Sequence, residues 1–365
     1  MRSVMPLKHK EIMKKLLSKL QPKKKTPEEP AGRITTETIA EHRERVLAGG
    51  RKFKYPVQVA RHRLVITASL ISVGAIILLV VLGWWQLYVV QNTSDIAYRV
   101  TKVIPVPVAV VDGESVRYSE YLMRYRGAIH YLTEKERLNI ATEDGQRQSD
   151  FVKQRAMADA IADAYAQKLA KEKNISVTGA ELEAYLKQQR TAMDDNVSEN
   201  TYNTVIRDYY GWSPEEYRDS MKAKLLRQKV AYELDSSAKA VANDIRTALR
   251  AGQTDLAIIT AAQNESKAQS ATYWPAAWVP RTNQDGGLAA TTAKLEKGGV
   301  SDIITSTIGD GYYIARLVDS DETRLQYEYI HIPLSTFSKQ LETLRKDGKF
   351  SEFITIPEAE VAKNK

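Results

Sequence analysis

The chain has 365 residues, 27% charged and 43% hydrophobic, a globular balance with length for two domains that excludes a disordered or fibrous chain. The net charge of +8 sits at one end: residues 1–63 carry 17 Lys and Arg against 6 Asp and Glu, the remainder 36 against 39, so the basic balance does not mark the whole chain as a nucleic-acid binder. There is no cysteine, which excludes disulfides, thiolate metal sites and cysteine nucleophiles.

The first patterned stretch is EIMKKLLSKL at residues 11–20, where Ile12, Met13, Leu16, Leu17 and Leu20 recur at helical spacing opposite lysines. It fits a basic amphipathic helix on an anionic inner leaflet, and equally a helix docked on a partner or a solvated tail. Lys23–Lys25 and the TPEEPAG segment read as linker. Thr36–Leu47 reads as a short helix stopped by Gly49-Gly50. Basic patches also hold RNA, but no aromatic residues interleave these lysines, so nucleic acid is not an expected partner.

Leu64–Val90 carries no charge; aside from its aromatic residues its polar side chains are Thr67, Ser69, Ser72 and Gln86. As a helix it is ~40 Å long, more than the ~30 Å hydrocarbon layer of a bilayer. Trp84, Trp85 and Tyr88 gather at one end, as interfacial aromatics do, while Arg61 and Arg63 flank the other. Residues 91–97 hold one Asp and no Lys or Arg, so the positive-inside bias places the N-terminus in the cytosol and everything after the span outside. A 63-residue leader is too long for a usual cleaved signal, and no small-x-small site follows, so the span reads as a retained signal anchor.

Beyond a connector at 91–106, Val108–Val111 reads as a strand ending in the Asp112-Gly113 turn, and Ser119 as the cap of the next helix. A long helix is expected over Phe151–Lys173, with Phe151, Ala158, Ile161, Tyr165 and Leu169 on one face. Thr178-Gly179-Ala180-Glu181 is a capping box; Ser213-Pro214-Glu215-Glu216 is a second, with Pro at the first helical position. Residues 107–236 are thus mostly helical and rich in Tyr. From Ser237 the texture changes to a helix ending near Gly252 and then short elements, including strands at Tyr312–Leu317, expected to alternate faces, and Tyr327–Ile332, with a helix at Phe337–Lys346. The second part reads as a small α+β domain.

The run VAVVDGESVRYSEYLMRY, followed by ISVTGAELEAYL and GWSPEEYRDSMKAKLLRQKV, resembles the helical chaperone domain of the SurA/PrsA/PpiD family of extracytoplasmic folding factors. Trp278-Val279-Pro280-Arg281 and LEKGGVSDIITSTIGDGYYIARLVD are similar to the second half of a parvulin-type (PpiC) peptidyl-prolyl isomerase domain. The resemblance implies a single-pass anchor followed by an α+β extracytoplasmic part in the bacterial envelope. Its segments would be a cytosolic tail at 1–63, the span at 64–90, a helical chaperone domain at 107–236 and a parvulin-like domain at 237–325. A segment at 326–365 would pack on one of those two domains. The expected partners are unfolded or newly exported polypeptides and the membrane; no cofactor and no metal is expected.

Departures from the family pattern bear on chemistry. Parvulins resemble one another in a histidine pair across the sheet. Here Tyr313 stands where the closing strand has its His, and the expected first strand is missing before Ser237. The Gly-rich run before the Trp has become Tyr273-Trp274-Pro275-Ala276-Ala277, and the acidic or thiol position falls near Glu265 or Ser266. His331, in Glu328-Tyr329-Ile330-His331-Ile332, resembles the missing first strand displaced to after the last one. That strand would complete the sheet by permutation, begin a truncated second unit, or pair with the helical domain; as an ordinary strand histidine it would be half-buried. If it completes the sheet, His331 lies opposite Tyr313. The candidate catalytic residues are accordingly His331, Tyr313 and Glu265. The candidate substrate-binding residues are Trp278, Tyr273, Trp274, Tyr312 and Tyr125. With the histidine pair broken, isomerase activity is expected to be weak or absent; the alternative is an active isomerase with an altered site. No P-loop, HExxH or nucleophile-elbow pattern offers another enzyme.

Overall fold

A computed structural model describes residues 36–54, 56–191, 197–266 and 270–357. The amphipathic stretch at 11–20 and the linker after it lie outside the described residues. The chain forms two units, divided between Val80 and Val81.

The first unit holds helix α1, Thr36–Lys54, and most of α2, Pro56–Trp84. α1 runs through Gly49-Gly50 instead of stopping there. A glycine weakens a helix by ~1 kcal/mol relative to Ala, which is a handicap and not a stop. Residues His62–Val89 form a helix long and apolar enough to cross a membrane, with a mean hydropathy of 2.8.

The second unit begins with the end of that helix, which widens into a π-helical turn at Trp85–Val89. Helix α3, Asp95–Val103, follows, capped by Ser94, whose Oγ accepts from the Ala97 N–H at 3.3 Å. Strands β1, Pro107–Val111, and β2, Glu114–Arg117, are joined by Asp112 and Gly113. Both turn residues have positive φ, 47° and 81°, as a tight hairpin turn requires. Helix α4, Tyr118–Glu134, starts one residue before the expected Ser119 cap, and its N-cap Arg117 makes no side-chain bond.

Helix α5, Glu143–Lys173, buries Ala156, Met157, Ala160, Ile161, Ala164 and Tyr165. Phe151 and Ala158, expected on that stripe, are exposed. Its Asp163 is 4% exposed and is ion-paired to Arg124 of α4; Arg227 Nη1 stands 3.3 Å away, an ionic contact without hydrogen-bond alignment. Helices α6, Gly179–Thr191, α7, Glu199–Tyr210, and α8, Pro214–Leu234, complete the helical part. Both expected capping boxes are present: Thr178 and Glu181 bond reciprocally at 2.8 and 3.2 Å, and Ser213 and Glu216 at 3.0 and 3.2 Å.

Helices α9, Ser236–Arg250, and α10, Leu256–Ser266, lead into a four-stranded antiparallel sheet. Its strands are β3, Thr272–Pro280, β4, Ile304–Thr305, β5, Gly311–Ser320, and β6, Arg324–Pro333, in the order β3-β6-β5-β4. One face packs Tyr312, Ile314, Ile330 and Ile332 against α9 and α10. The other packs Tyr313, Ala315, Leu317 and Tyr327 against a short helix α11, Leu288–Thr292. β5 alternates faces as expected, and both faces are buried over Gly311–Ala315. Helical cover on each side removes the polar face that an open antiparallel sheet keeps.

The described part of the segment 326–365, residues 326–357, does not pack on a single domain. β6 is an inner strand of the four-stranded sheet. Helix α12, Thr336–Lys346, and strand β7, Phe350–Glu352, return to the helical part, where β7 pairs with β1 and Phe337 packs on Tyr165 at 5.6 Å. Asp235 joins the two parts. Its Oδ1 accepts from the Ala238 N–H and the Ser237 hydroxyl, capping α9, and its Oδ2 accepts from the N–H groups of Ser335 and Thr336 ahead of α12.

Candidate functional site

Two places carry the arrangements from which function can be argued. The first is an open cleft of about 1080 Å³ among α3, α4, α7 and the start of α8. It exists because α4 and α7 meet through Gly127: the Trp212 indole lies where a Cβ would stand, 2.7 Å from that position, and its Nε1 donates to the Met123 carbonyl at 3.1 Å. Gly211, at φ 66°, ends α7 and turns the chain to present Trp212. Tyr210 stacks on Trp212 with centroids 5.1 Å apart.

Opposite this aromatic wall, Tyr98 donates to Glu216 at 2.5 Å, Lys102 Nζ lies 3.2 Å from the same oxygen, and the Arg126 guanidinium covers the Tyr98 ring at 5.0 Å. Burial pushes the Glu216 carboxyl up, yet the donors from Tyr98, the Ser213 N–H and Lys102 together hold it below the usual carboxylate range. Burial, then the bond to Glu216, pushes the Tyr98 phenol up. The cleft thus carries fixed charges of both signs beside the exposed Tyr210 and the half-buried Trp212. That combination binds an extended chain through its peptide groups and apolar side chains without demanding one sequence. Tyr125, a candidate for binding, borders this cleft but is 6% exposed, its hydroxyl paired with Ser149 at 2.9 Å.

The second place is the α11-side face of the four-stranded sheet. The register sets Tyr313 opposite His331. Their rings stack 4.6 Å apart at 19°. Tyr313 donates to Asp310 Oδ2 at 2.5 Å, and His331 Nε2 lies 3.3 Å from the Asp310 carbonyl. Burial, then Asp310, pushes the Tyr313 phenol up. Tyr329 packs edge-on against Tyr313 at 5.7 Å, and Trp274, half exposed, stacks on Tyr329 at 6.1 Å. Gly286, at φ 75°, lets the loop close over this cluster: a Cβ there would meet Ser306 Oγ at 2.7 Å. Ser306 Oγ and Asp310 Oδ1 are buried without a hydrogen bond among the described residues.

Strand parity divides the remaining candidates. Tyr312 faces α9 and α10, edge-on to Tyr232 at 5.2 Å. Tyr273 faces the same way and donates to Glu328 at 2.7 Å, a carboxylate that, with burial, pushes the phenol up to about 12. Trp278 lies beyond a bulge between Trp274 and Ala277, opposite Gln326 and under the Arg324 guanidinium at 4.9 Å. Glu265 is exposed on α10, across the sheet from His331, and takes no part in the cluster. Of the sheet candidates, Tyr313, His331 and Trp274 share a face.

Tyr327, Tyr329, Asp285 and Asp310 were not among the site candidates read from sequence, nor were Tyr98, Trp212 and Glu216 of the cleft. The alternation Tyr327-Glu-Tyr329-Ile-His331 was a usable signal, since residues two apart on a strand share a face. Nothing in sequence announced the meeting of Tyr98 with Glu216, which are 118 residues apart. Among the described residues no group of His, Asp and Glu is arranged to hold a metal ion.

Residues 59–231 match the family model of the SurA-like N-terminal domain. No curated protein and no solved structure matches the chain. The match covers the apolar helix and the whole cleft, supports a SurA-like chaperone family, and suggests a chaperone-type folding role for this part. It ends within α8, before the four-stranded sheet.

Proposed function

We propose that the chain is a membrane-anchored folding factor of the cell envelope that holds unfolded, newly exported polypeptides. The helix at His62–Val89 is its single-pass anchor, the tail at 1–63 is cytosolic, and the folded part stands outside. The observation that carries the reading is the SurA-like match over a helical part that contains a large cleft of mixed charge with Tyr210 and Trp212 on its wall. Clients enter that cleft as extended segments.

The four-stranded sheet is read as a parvulin-like domain with an altered site. Three features support this: the antiparallel order β3-β6-β5-β4, the Tyr-Ile-His-Ile segment of β6 beside the closing strand, and the Trp-Val-Pro run in β3. Its activity is weak or absent. Turning a prolyl bond requires an amide to lose resonance against a barrier of ~18–20 kcal/mol, which an enzyme lowers with a preorganised pocket. Here the rings of Tyr313 and His331 stack 4.6 Å apart, leaving no room for a pyrrolidine between them, and Asp310 ties them together.

The test uses the full chain in detergent micelles with two assays on one preparation. Light scattering of a chemically unfolded client should fall at equimolar protein, and the proline-limited phase of a refolding substrate should keep its rate. Unchanged scattering rejects the chaperone reading; an accelerated slow phase replaces the inactive sheet with a working isomerase.

A further inference from the structure

Helix α3 is built inside out. Its polar Tyr98 and Thr101 face the core, at 8% and 1% exposure, while Ile96, Val100 and Val103 point outward at 74%, 46% and 82%. Positions 96, 100 and 103 follow i, i+4 and i+7, so the three aliphatic side chains form one stripe along the helix. Arg99 and Lys102 lie beside it, both more than half exposed. A soluble surface helix has the reverse pattern.

What lies beyond the stripe follows from its place in the chain. Four residues, 91–94, separate Val90 from the start of α3, and a residue reaches no more than ~3.6 Å. That link is folded back and tied down: the Val90 N–H donates to Trp85 O at 3.0 Å, the Asn92 N–H to Gln86 O at 2.9 Å, and Gln91 Nε2 to Thr355 O at 2.8 Å. The end of the apolar helix is itself set into the folded part. Leu87 is buried and its carbonyl accepts from Tyr118 at 2.7 Å, while Tyr88 donates to Pro107 O at 2.6 Å. Trp84 and Trp85 remain exposed beside this junction. The aliphatic stripe is therefore held close to the point where the apolar helix ends.

We propose that α3 is an interfacial helix that lies on the outer leaflet, with Ile96, Val100 and Val103 sunk into the boundary between headgroups and acyl chains. The cleft, whose near wall is the opposite face of α3, is then fixed at the membrane surface and opens beside it. The inference rests on the reading that His62–Val89 crosses a membrane.

The chain has no cysteine, so single cysteines report cleanly. Full-length Val103→Cys, Ile96→Cys, Leu82→Cys and Ile258→Cys proteins are each labelled with an environment-sensitive fluorophore. They are reconstituted in vesicles of phosphatidylethanolamine and phosphatidylglycerol carrying a lipid-borne quencher. All four positions are exposed, so the labels leave the fold intact. Leu82 tests the span, and Ile258 on α10 is an exposed aliphatic control. The expected result is loss of fluorescence at Leu82, Val103 and Ile96 and none at Ile258, with the α3 probes at the ~5–10 Å depth of an interfacial helix. Quenching at Leu82 with Val103 no more quenched than Ile258 overturns the interfacial helix and leaves the anchor standing. A blue shift at Val103 without quenching points to a protein partner and also overturns it. No quenching at Leu82 removes the anchor, and the proposal with it.

Discussion

The helical part and the four-stranded sheet spend their tyrosines differently. In the helical core, three hydroxyls end on neutral partners, Tyr118 on the Leu87 carbonyl, Tyr125 on Ser149 and Tyr202 on Tyr217, while the buried Tyr121 hydroxyl has no hydrogen bond among the described residues. In the sheet they end on carboxylates: Tyr273 on Glu328, Tyr313 on Asp310, Tyr327 on Asp285. A neutral partner leaves a tyrosine as packing with a satisfied tip. A carboxylate partner pins a loop or a neighbouring strand and uses up the acid that a catalytic site would need free. Tyr98 of the helical part, which ends on the Glu216 carboxylate, lines the cleft. The difference teaches where a ligand can be received: the cleft keeps charged groups at its edge, while the sheet has turned its own inward.

Substitutions at four positions test that contrast. The largest effect is expected at Asp235, which belongs to both parts. Asp235→Ala removes the acceptor of the buried Ala238 N–H and of the part-buried Ser335 and Thr336 N–H groups, and should lower stability by ~3–5 kcal/mol in a denaturant titration. If only one part loosens, the coupling through Asp235 is wrong. Burial pushes this carboxyl up, but the N–H groups of Thr336 and Ser335 lead the donors that hold it below its ordinary value. A lowered folded value means its contribution is complete above the unfolded carboxyl's ~4 and is lost as pH falls through the folded value. Asp235→Asn should therefore flatten the acid limb of the stability profile.

Asp163→Ala comes next, because it strands Arg124, 13% exposed, beside an empty site. A loss of ~3 kcal/mol is expected in the helical part alone, with amide exchange in β5 and β6 unchanged. Equal deprotection of the sheet would erase the division between the two parts. Gly127→Ala pushes a methyl against the Trp212 ring and should destabilise by ~1–3 kcal/mol while weakening client holding. Unchanged suppression of aggregation would move the binding site out of the cleft. The smallest effect is expected for Tyr327→Phe, which removes one donor to Asp285 and should shift stability by ~1 kcal/mol with client holding intact.

Much of the local structure could be read from residues alone. The apolar run, the Asp112-Gly113 turn and the boxes at Thr178 and Ser213 are signals within a few positions of each other, and each formed as its local chemistry dictates. Local signals failed where a single residue type was trusted: Gly49-Gly50 did not end α1, and Ser119 did not cap α4. The site was less legible. Alternation could place Tyr313 and His331 on definite faces of their strands, but which strands pair, and in what register, depends on long-range burial.

Sequence by itself determined that this chain carries one long apolar helix, a tyrosine-rich helical part and a following sheet, because periodicity and caps are properties of neighbouring residues. Tertiary structure alone decided that β6 lies between β3 and β5, that α12 and β7 return to β1, and that Tyr98 meets Glu216 across the cleft. Those contacts join residues far apart in the chain, where the entropy of closing the loop is met only by the burial that the whole fold provides.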